Sequence, residues 1–342
     1  MVKKCYFRVD ANNKIGTGHL VRTEILADEL FNQNIEINFI CKDLPGYYEK
    51  HLIKKNYKIY KINNNKSELE QILKIIINKH SILIVDSDKS EFYTKEFQTG
   101  IKEKDIKLMI ITFYHNHHFY ADIILNQNIM ALSQKYSCED YTIKLLGPKI
   151  VILKNEYRKI AKNLNKYKTN LPNRTVLLTF GGVDEPDRTS YVYKALLNCK
   201  YQADKIIIIL GAMYKNKEKI VELSKNSAIK TEIYQNTPKM PYLLAESDIV
   251  FNSGGLTVWE AGVFNNLIVI MGHSEREQLG GKYIGDNEYG IYLGTKDNYT
   301  IESLSKKIEH ILSDDNNQYI SKLSEAIDVN GIEKVVNTIK SL

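Results

Sequence analysis

Short apolar runs alternate with amphipathic stretches along the first half of the chain. The apolar runs are rich in Ile, Leu and Val, and they cover residues 5–10, 35–41, 81–86, 106–112 and 123–126. Between them, apolar residues recur at helical spacing, first over 19–31 and again over 67–78. Short continuous apolar strands that alternate with helices are typical of a parallel sheet buried on both faces.

The same alternation restarts after a polar segment in the middle of the chain. Residues 156–172 are rich in Lys and Asn and predict a linker. Beyond it, strand patterns cover 175–180, 205–210, 229–234, 248–251 and 267–271, with helical patterns at 188–197 and 257–264. The sequence therefore predicts an α/β protein with two doubly wound, Rossmann-like domains, 1–155 and 173–342. We expect the domains to face each other across a ligand-binding cleft, with a last helix near 320–342 that can pack back on the first.

Composition narrows the possible classes of function. The chain has 43% hydrophobic and 26% charged residues, which is typical of a globular protein. A net charge of +6 from scattered lysines forms no dense basic stripe, which disfavours nucleic acid as a partner. The absence of a run of about 18 apolar residues argues against membrane insertion. The first residues lack a signal-peptide pattern, so we expect a cytoplasmic protein. The oligomeric state stays open.

Cysteines and histidines are the residues that could suggest a metal site. The four cysteines are far apart and form no Cys-x-x-Cys pair, which disfavours both a metal site and a disulfide framework. The cluster His115, His117 and His118 has a spacing that zinc can accept, but no fourth ligand accompanies it. We therefore expect neither a metal nor another cofactor.

The first candidate site follows the first strand pattern. The strand ends at Asp10, a loop with Gly16 and Gly18 follows, and a helix begins near His19. Glycines let backbone N–H groups approach an anion, and a helix N-terminus favours negative charge. The same positive end should lower the pKa of His19 and keep the ring neutral, as a general base requires. Arg22 lies one turn further on the same face. A tight turn beside a solvated histidine is the structural alternative.

Two further glycine-bearing turns follow strand patterns in the second half. The residues there that could hold a diphosphate are Gly181, Gly182, Ser253, Gly254, Gly255 and Thr257. They offer backbone N–H groups and hydroxyls after a strand, which is an arrangement that binds phosphates. Glu260, about one turn further, can accept two hydrogen bonds from a ribose diol. Alternatively, its charge stabilises the N-terminus of its own helix.

The N-terminal segment resembles a known enzyme family. The family pattern is an Arg-x-Asp strand end, then Ile-Gly-x-Gly-His, an Arg three residues on, and a Leu-Ala helix. The matching residues are Arg8, Asp10, Ile15, Gly16, Gly18, His19, Arg22, Leu26 and Ala27. Further matches are LLGPKIVILKNEY at 145–157 and FGGVD at 180–184. On these residues the chain resembles the UDP-2,4-diacetamido-2,4,6-trideoxy-β-L-altropyranose hydrolases of pseudaminic acid biosynthesis, a family that includes spore-coat polysaccharide proteins.

The segment SGGLTVWE at 253–260 is also similar to the UDP-binding turn of the peptidoglycan N-acetylglucosaminyltransferase, which has the GT-B architecture. Together, the resemblances imply a GT-B-like fold with UDP on the second domain and its ribose on Glu260. They imply that His19 helps a water molecule attack the anomeric carbon, with Asp10 or Arg22 orienting the ring or the sugar. The residues expected to contact the sugar are Gly16, Gly18, Asp86 and Gln278.

The chain departs from the family pattern around the sugar. The family has an Asp-x-Tyr segment where this chain reads DSDKSEFY, which keeps Asp86 and leaves Asp88 or Tyr93 to replace the tyrosine. The paired acids after the next strand are replaced by FYHNHH, and the family's Asn-Gln pair appears as Glu277-Gln278. These changes lie around the sugar and the acceptor, not around the nucleotide.

Three functions are compatible with these residues. The main hypothesis is a UDP-sugar hydrolase that releases UDP and a free amino or deoxy sugar for nonulosonic acid or surface polysaccharide biosynthesis. In it, His19 acts as a general base on water. The alternative is a GT-B glycosyltransferase that uses a UDP-sugar donor and a hydroxyl acceptor. A non-catalytic sugar-binding protein is the third hypothesis, which the presence of both His19 and Glu260 disfavours.

Overall fold

The computed structural model describes most of the 342 residues. The described residues are 2–12, 15–77, 80–166, 174–200, 203–313 and 316–342, with only the backbone for residue 317. They form two compact units, of which the first comprises 1–153 and 330–342 and the second comprises 154–329. Within these ranges, no helix is long and apolar enough to cross a membrane.

A seven-stranded parallel sheet forms the centre of the first unit. The strands of this unit are β1 (Lys4–Val9), β2 (Glu36–Cys41), β3 (Lys58–Lys61), β4 (Ser81–Asp86), β5 (Lys107–Ile111), β6 (His118–Phe119), β7 (Ile123–Asn126), β8 (Ser137–Cys138) and β9 (Ile143–Leu146). Seven of them lie in the order β3-β2-β1-β4-β5-β7-β9, and β6 pairs separately with β8. The strand pairs of the large sheet are parallel.

Helices cover both faces of this sheet. The helices of the first unit are α1 (Gly18–Phe31), α2 (Gly46–Lys54), α3 (Glu68–Ile75), α4 (Lys95–Lys102) and the C-terminal α13 (Gly331–Ser341). Successive side chains of β1 point to opposite faces, so Phe7 packs in a core layer with α1 and α13 while Tyr6 packs with α3 and α4. Burial on both faces explains why the strands are continuous apolar runs.

The second unit is a six-stranded parallel sheet with helices. Its strands are β10 (Thr175–Thr179), β11 (Lys205–Leu210), β12 (Lys230–Gln235), β13 (Ile249–Asn252), β14 (Leu267–Gly272) and β15 (Ile291–Thr295), in the order β12-β11-β10-β13-β14-β15. Its helices are α5 (Asn155–Ala161), α6 (Arg188–Leu197), α7 (Lys217–Lys225), α8 (Met240–Ala245), α9 (Thr257–Gly262), α10 (Glu275–Asp286), α11 (Ile301–Ser313) and α12 (Asn317–Ala326). One core layer of this unit joins β10 and β11 to α6, α7 and α11.

Most predicted strands are confirmed within one or two residues. The strands at 81–86, 123–126 and 205–210 and the helix at 188–197 have the predicted bounds. The helix predicted over 67–78 ends at Ile75, and its predicted last residue lies outside the described residues. The edge strands β3, β9 and β15 did not emerge from the apolar pattern, because each has five residues or fewer, of which at most one is buried.

Two predicted segments differ in the structure. The linker predicted at 156–172 begins as helix α5, because Tyr157 and Ile160 are buried on one side of it and it packs against α8. The part of that segment beyond Lys166 lies outside the described residues. The single last helix predicted near 320–342 is two helices. The first, α12, belongs to the second unit, whereas α13 packs against α1 in the first.

Candidate functional site

The carboxyl ends of β1 and β4 lie side by side in the first sheet. The two strands pair in parallel, with Val9 beside Asp86. On one side of this pair the sheet continues to β2 and β3, and on the other side to β5. The strand order thus reverses between β1 and β4. Such a reversal leaves a space beyond the carboxyl ends of the two strands, where doubly wound sheets bind ligands. Asp10 follows β1 and Asp86 ends β4, so the predicted residues of this unit meet at this point.

His19 and Asp86 form a close pair at this edge. His19 Nδ1 lies 2.5 Å from Asp86 Oδ1, although the two residues are 67 positions apart in sequence. Arg22 Nε donates to Asp86 Oδ2 at 2.8 Å, and its Nη2 donates to Asp86 Oδ1 at 2.6 Å. Both Asp86 oxygens are therefore occupied by cationic side chains. Arg22 positions Asp86, and Asp86 fixes the imidazole ring. The sequence groups Asp86 with the sugar contacts; in the structure its carboxylate contacts His19 and Arg22, and a contact with a sugar stays a prediction.

The charge of Asp86 decides the protonation of His19. It raises the pKa of His19 from 6.5 to about 9 against the opposing effect of burial. Burial alone would raise the pKa of Asp86, but the charges of Arg22 and His19 outweigh it and hold that pKa well below its usual range. The prediction that the helix N-terminus lowers the pKa of His19 is therefore wrong. A helix terminus contributes about 0.3–1 kcal/mol, less than a direct ion pair with a buried carboxylate.

Asp10 pairs with Arg8, whereas the carboxylate on His19 Nδ1 is Asp86. The two oxygens of Asp10 accept hydrogen bonds from Arg8 at 2.7 and 2.8 Å, and its role toward a sugar stays a prediction. Arg8 in turn donates to Glu68 at 2.6 and 2.9 Å, so one buried guanidinium joins two buried carboxylates. Lys89 Nζ donates to Asp10 Oδ2 at 2.8 Å, and Lys42 contacts Glu68. This network joins the end of β1 to α3 and to the loop that follows β4.

Of the two residues proposed to replace the family tyrosine, Asp88 is the one that reaches His19. Its Oδ2 lies 3.5 Å from His19 Nε2, and 44% of its side chain is exposed. Tyr93 is buried; its hydroxyl donates a hydrogen bond to the Ser87 carbonyl and contacts the Thr112 hydroxyl, which can donate to it. The ring of His19 therefore has a carboxylate beside each of its nitrogens.

The glycines of the first turn take the predicted positions. Gly16 has a φ of 78°, which a residue with a side chain rarely adopts, and its N–H donates to the Asn12 carbonyl at 2.8 Å. Gly18 is the first residue of α1, and open space lies where its Cβ would be. Their contact with a sugar stays a prediction.

The histidine-rich segment near 113–118 serves local structure. The ring of His118 contacts the Ser137 hydroxyl at 2.7 Å and the Glu139 carboxylate at 2.9 Å. His117 stacks on Tyr93 with a centroid distance of 4.8 Å. In the part of the chain that the structure describes, no group of three or more His, Cys, Asp or Glu could hold a metal ion.

The second unit has the corresponding point between β10 and β13. These strands pair in parallel, and the sheet continues to β11 on one side and to β14 on the other. Gly181 and Gly182 follow β10, and the turn at 253–255 follows β13, so both predicted phosphate-binding turns lie at the same sheet edge. The φ of Gly254 is 89°, and its N–H donates to the Asn252 side chain at 2.7 Å. This hydrogen bond fixes the turn between β13 and α9.

Glu260 lies on α9, which begins at Thr257. Its side chain is partly exposed, and burial of the carboxylate raises its pKa against the opposing effects of Lys154 and Tyr157. Lys154 directly precedes α5, and Tyr157 lies in α5 near the start of the predicted linker. Both belong to the matched run 145–157, but the sequence analysis gives them no role at the site, although an aromatic residue in a polar segment is a usable signal. The contact of Glu260 with a ribose stays a prediction.

Glu277 and Gln278 lie in the first turn of α10. Glu277 forms a capping box with Ser274 and also accepts a hydrogen bond from Arg188 at 3.0 Å. The Gln278 amide donates to the His273 carbonyl at 3.0 Å. Gln278 belongs to the second unit, whereas the other three predicted sugar contacts belong to the first. Its role toward a sugar stays a prediction.

Comparison with known proteins identifies the fold. MurG of Acinetobacter baumannii matches with a TM-score of 0.70 at 12% identity, over 100% of both chains. UGT71G1 of Medicago truncatula, solved in complex with UDP-glucose, matches with a TM-score of 0.60 at 12% identity, over 99% of this chain and 98% of that one. The chain therefore has the GT-B fold of two Rossmann-like domains, which confirms the predicted fold class.

The sequence comparisons add one relative. No protein-family model matches the chain. An uncharacterized protein of Methanocaldococcus jannaschii is 30% identical over 280 residues, which cover 79% of this chain and 55% of that protein. The chain thus spans about half the length of the curated relative that it matches.

Proposed function

We propose that the chain is a glycosyltransferase that takes the sugar from a UDP-sugar and passes it to a hydroxyl acceptor. The observation that carries this proposal is the Arg22–Asp86–His19 arrangement. A buried carboxylate that holds Nδ1 of a histidine leaves Nε2 for proton transfer, as in hydrolytic triads. His19 would take the proton of the acceptor hydroxyl while that oxygen attacks the anomeric carbon.

The second unit would hold the nucleotide. Its two glycine-bearing turns lie at one sheet edge, and the diphosphate would accept hydrogen bonds from their backbone N–H groups and from the hydroxyls of Ser253 and Thr257. Fixed dipoles at that position would stabilise the charge that develops on the leaving diphosphate. Glu260 would accept hydrogen bonds from the ribose hydroxyls. The GT-B fold and the UDP-glucose bound to UGT71G1 support a UDP-sugar as the donor.

UDP is expected to raise the melting temperature of the chain, because a ligand that binds only the folded state stabilises it by mass action. We expect Glu260→Gln to weaken UDP binding about tenfold or more, the effect of a lost hydrogen bond to a charged group. Affinity for 2′,3′-dideoxy-UDP should change little. The melting temperatures of the wild type and of Glu260→Gln, measured with a panel of nucleoside diphosphates over a range of concentrations, test these expectations. Glu218→Gln, at an exposed position of α7, is the matched control. Equal responses to UDP and other diphosphates would contradict the uridine assignment.

A hydrolase is the second candidate function. The observation in its favour is the N-terminal pattern from Arg8 to Ala27, which matches the hydrolase family at nine positions named above. The two functions differ in what happens without an acceptor. We expect the chain to release UDP from a bound UDP-sugar only slowly when water is the sole acceptor. Stoichiometric release of free sugar at a rate typical of enzymes, followed by chromatography, would instead establish the hydrolase.

A further inference from the structure

The outward nitrogen of His19 is covered by a carboxylate that the proposed function does not use. Nδ1 of the ring faces Asp86 at 2.5 Å, and Nε2 faces Asp88 at 3.5 Å. Asp86 is fully buried, 14% of the His19 side chain is exposed, and Asp88 is the most exposed of the three. Nε2 is the nitrogen that would receive the acceptor proton. Asp88 therefore occupies the position that the acceptor hydroxyl needs.

We propose that Asp88 is a removable cap on Nε2 of His19, which prevents water from serving as the acceptor and gives way to an acceptor that carries several hydroxyl groups. This inference rests on the proposed glycosyl transfer and names the class of acceptor for the same site. Asp88 is accordingly a positioning and specificity residue, and His19 stays the group that exchanges the proton.

The charges around the ring favour its protonated form. Asp86 comes from β4 and Asp88 from the loop that follows it, while Arg22 lies on the same helix as His19. Tyr93, the last residue of a short 3-10 helix (Ser90–Tyr93) after that loop, interacts with Arg22 and Asp88. The two carboxylates outweigh the single guanidinium, and the pKa of His19 is about 9. At neutral pH the resting ring therefore carries a proton on each nitrogen and cannot accept another.

The contact on Nε2 is the weaker of the two. Asp86 is held by two hydrogen bonds from Arg22, and its carboxylate is inaccessible to solvent. The 3.5 Å contact of Asp88 is at the limit of hydrogen-bond length, and nearly half of its side chain is exposed. Solvent can replace the hydrogen bond with His19 when the two groups separate. The contact between Asp88 and Nε2 can therefore open while Asp86 stays in place.

Displacement of Asp88 makes the neutral, basic form of the ring more common. When the carboxylate moves away, the ring loses a negative neighbour, its pKa falls, and a larger fraction of the rings gives the Nε2 proton to bulk water. The acceptor O–H proton then passes to Nε2 while its oxygen bonds to the anomeric carbon. The bond from that carbon to the diphosphate oxygen breaks, and its electron pair stays on the diphosphate. A polyhydroxylated acceptor can place one hydroxyl beside Nε2 and donate another to the displaced Asp88, whereas a single water that donates to both groups leaves the carboxylate close to the ring.

The test is the titration of the His19 ring by NMR in the ligand-free full chain. We expect a pKa near 9 in the wild type and a lower value in Asp88→Asn, because the substitution removes one of two carboxylates. Asp88→Glu should restore the wild-type value. Asp105→Asn is the matched control, since Asp105 is exposed, precedes β5 at the opposite sheet edge, and has a left-handed backbone that Asn tolerates. A His19 pKa that Asp88→Asn leaves unchanged overturns the cap.

Activity provides the second measurement. In acceptor-free UDP release from a UDP-sugar at pH 7, Asp88→Asn should be about three- to tenfold faster than the wild type, the effect of roughly half to one pKa unit. The difference should vanish above pH 9, where the wild-type ring is itself neutral. A slower Asp88→Asn variant overturns the cap and makes Asp88 the base. Failure of the wild type to bind UDP would count against the proposed function alone, because the NMR titration needs no nucleotide.

Discussion

Replacing His19 by Gln is expected to slow glycosyl transfer by about a hundred- to ten-thousand-fold, the usual contribution of a general base. The Gln side chain can still donate a hydrogen bond to Asp86, so the buried Arg22–Asp86 pair keeps a third partner. It cannot take a proton near neutral pH, so only the proton transfer is lost. The affinity for UDP should stay at the wild-type value, since the proposed nucleotide contacts belong to the second unit.

Steady-state turnover and calorimetric UDP binding, measured on the same preparation, separate these effects. His80→Gln is the matched control, because His80 is exposed and precedes β4 at the sheet edge opposite Asp86. It should behave as the wild type in both assays. Wild-type turnover in His19→Gln would remove His19 from the reaction. A parallel loss of UDP affinity would show that the substitution acts through folding.

The order of elements could be predicted because parallel strands buried on both faces have a distinctive composition. Every residue of β4 is buried, so its apolar run ends at the strand's own last residue, Asp86. An edge strand such as β3, with only partly buried residues, carries no such run. The sequence predicts one C-terminal helix instead of two because the amphipathic pattern continues through residues 327–330, where the chain passes from the second unit to the first.

The candidate site could be predicted in its residues but not in their pairings. Asp86 ends an apolar run, and His19 begins a helical pattern after a glycine-bearing loop, which marks both as candidates. Their contact depends on β4 lying next to β1, and the sequence order alone does not fix that neighbour. The sign of the His19 pKa shift follows from the contact, so it could not be predicted either. Arg8 gave a clearer signal, since a charged residue inside an apolar strand must be paired.

Arg8→Met is expected to destabilise the first unit by about 3–5 kcal/mol, the usual cost of breaking a buried ion pair by removing one partner. The methionine fills much of the same volume, so the cost comes from the charges of Asp10 and Glu68, which would stay buried without the guanidinium that joins them. Lys50→Met is the matched control, because Lys50 is exposed on α2. Lys50→Met should change the free energy of unfolding by no more than about 0.5 kcal/mol.

The stability that Arg8→Met loses should depend on pH, in a direction that identifies Asp10 and Glu68 as its source. Burial alone would raise the pKa values of Asp10 and Glu68, but the Arg8 guanidinium, with Lys89 beside Asp10 and Lys42 beside Glu68, holds both below their usual range. This contribution to stability is present above the pKa values of the unfolded carboxyls and is lost as the pH falls through the folded ones. The difference in the free energy of unfolding between the wild type and Arg8→Met should therefore become smaller as the pH falls. Urea unfolding at neutral and acidic pH, followed by circular dichroism, measures this difference in the free energy of unfolding. Fluorescence of the single tryptophan, Trp259, reports separately on the second unit. A difference that grows toward acid pH would exclude Asp10 and Glu68 as its source.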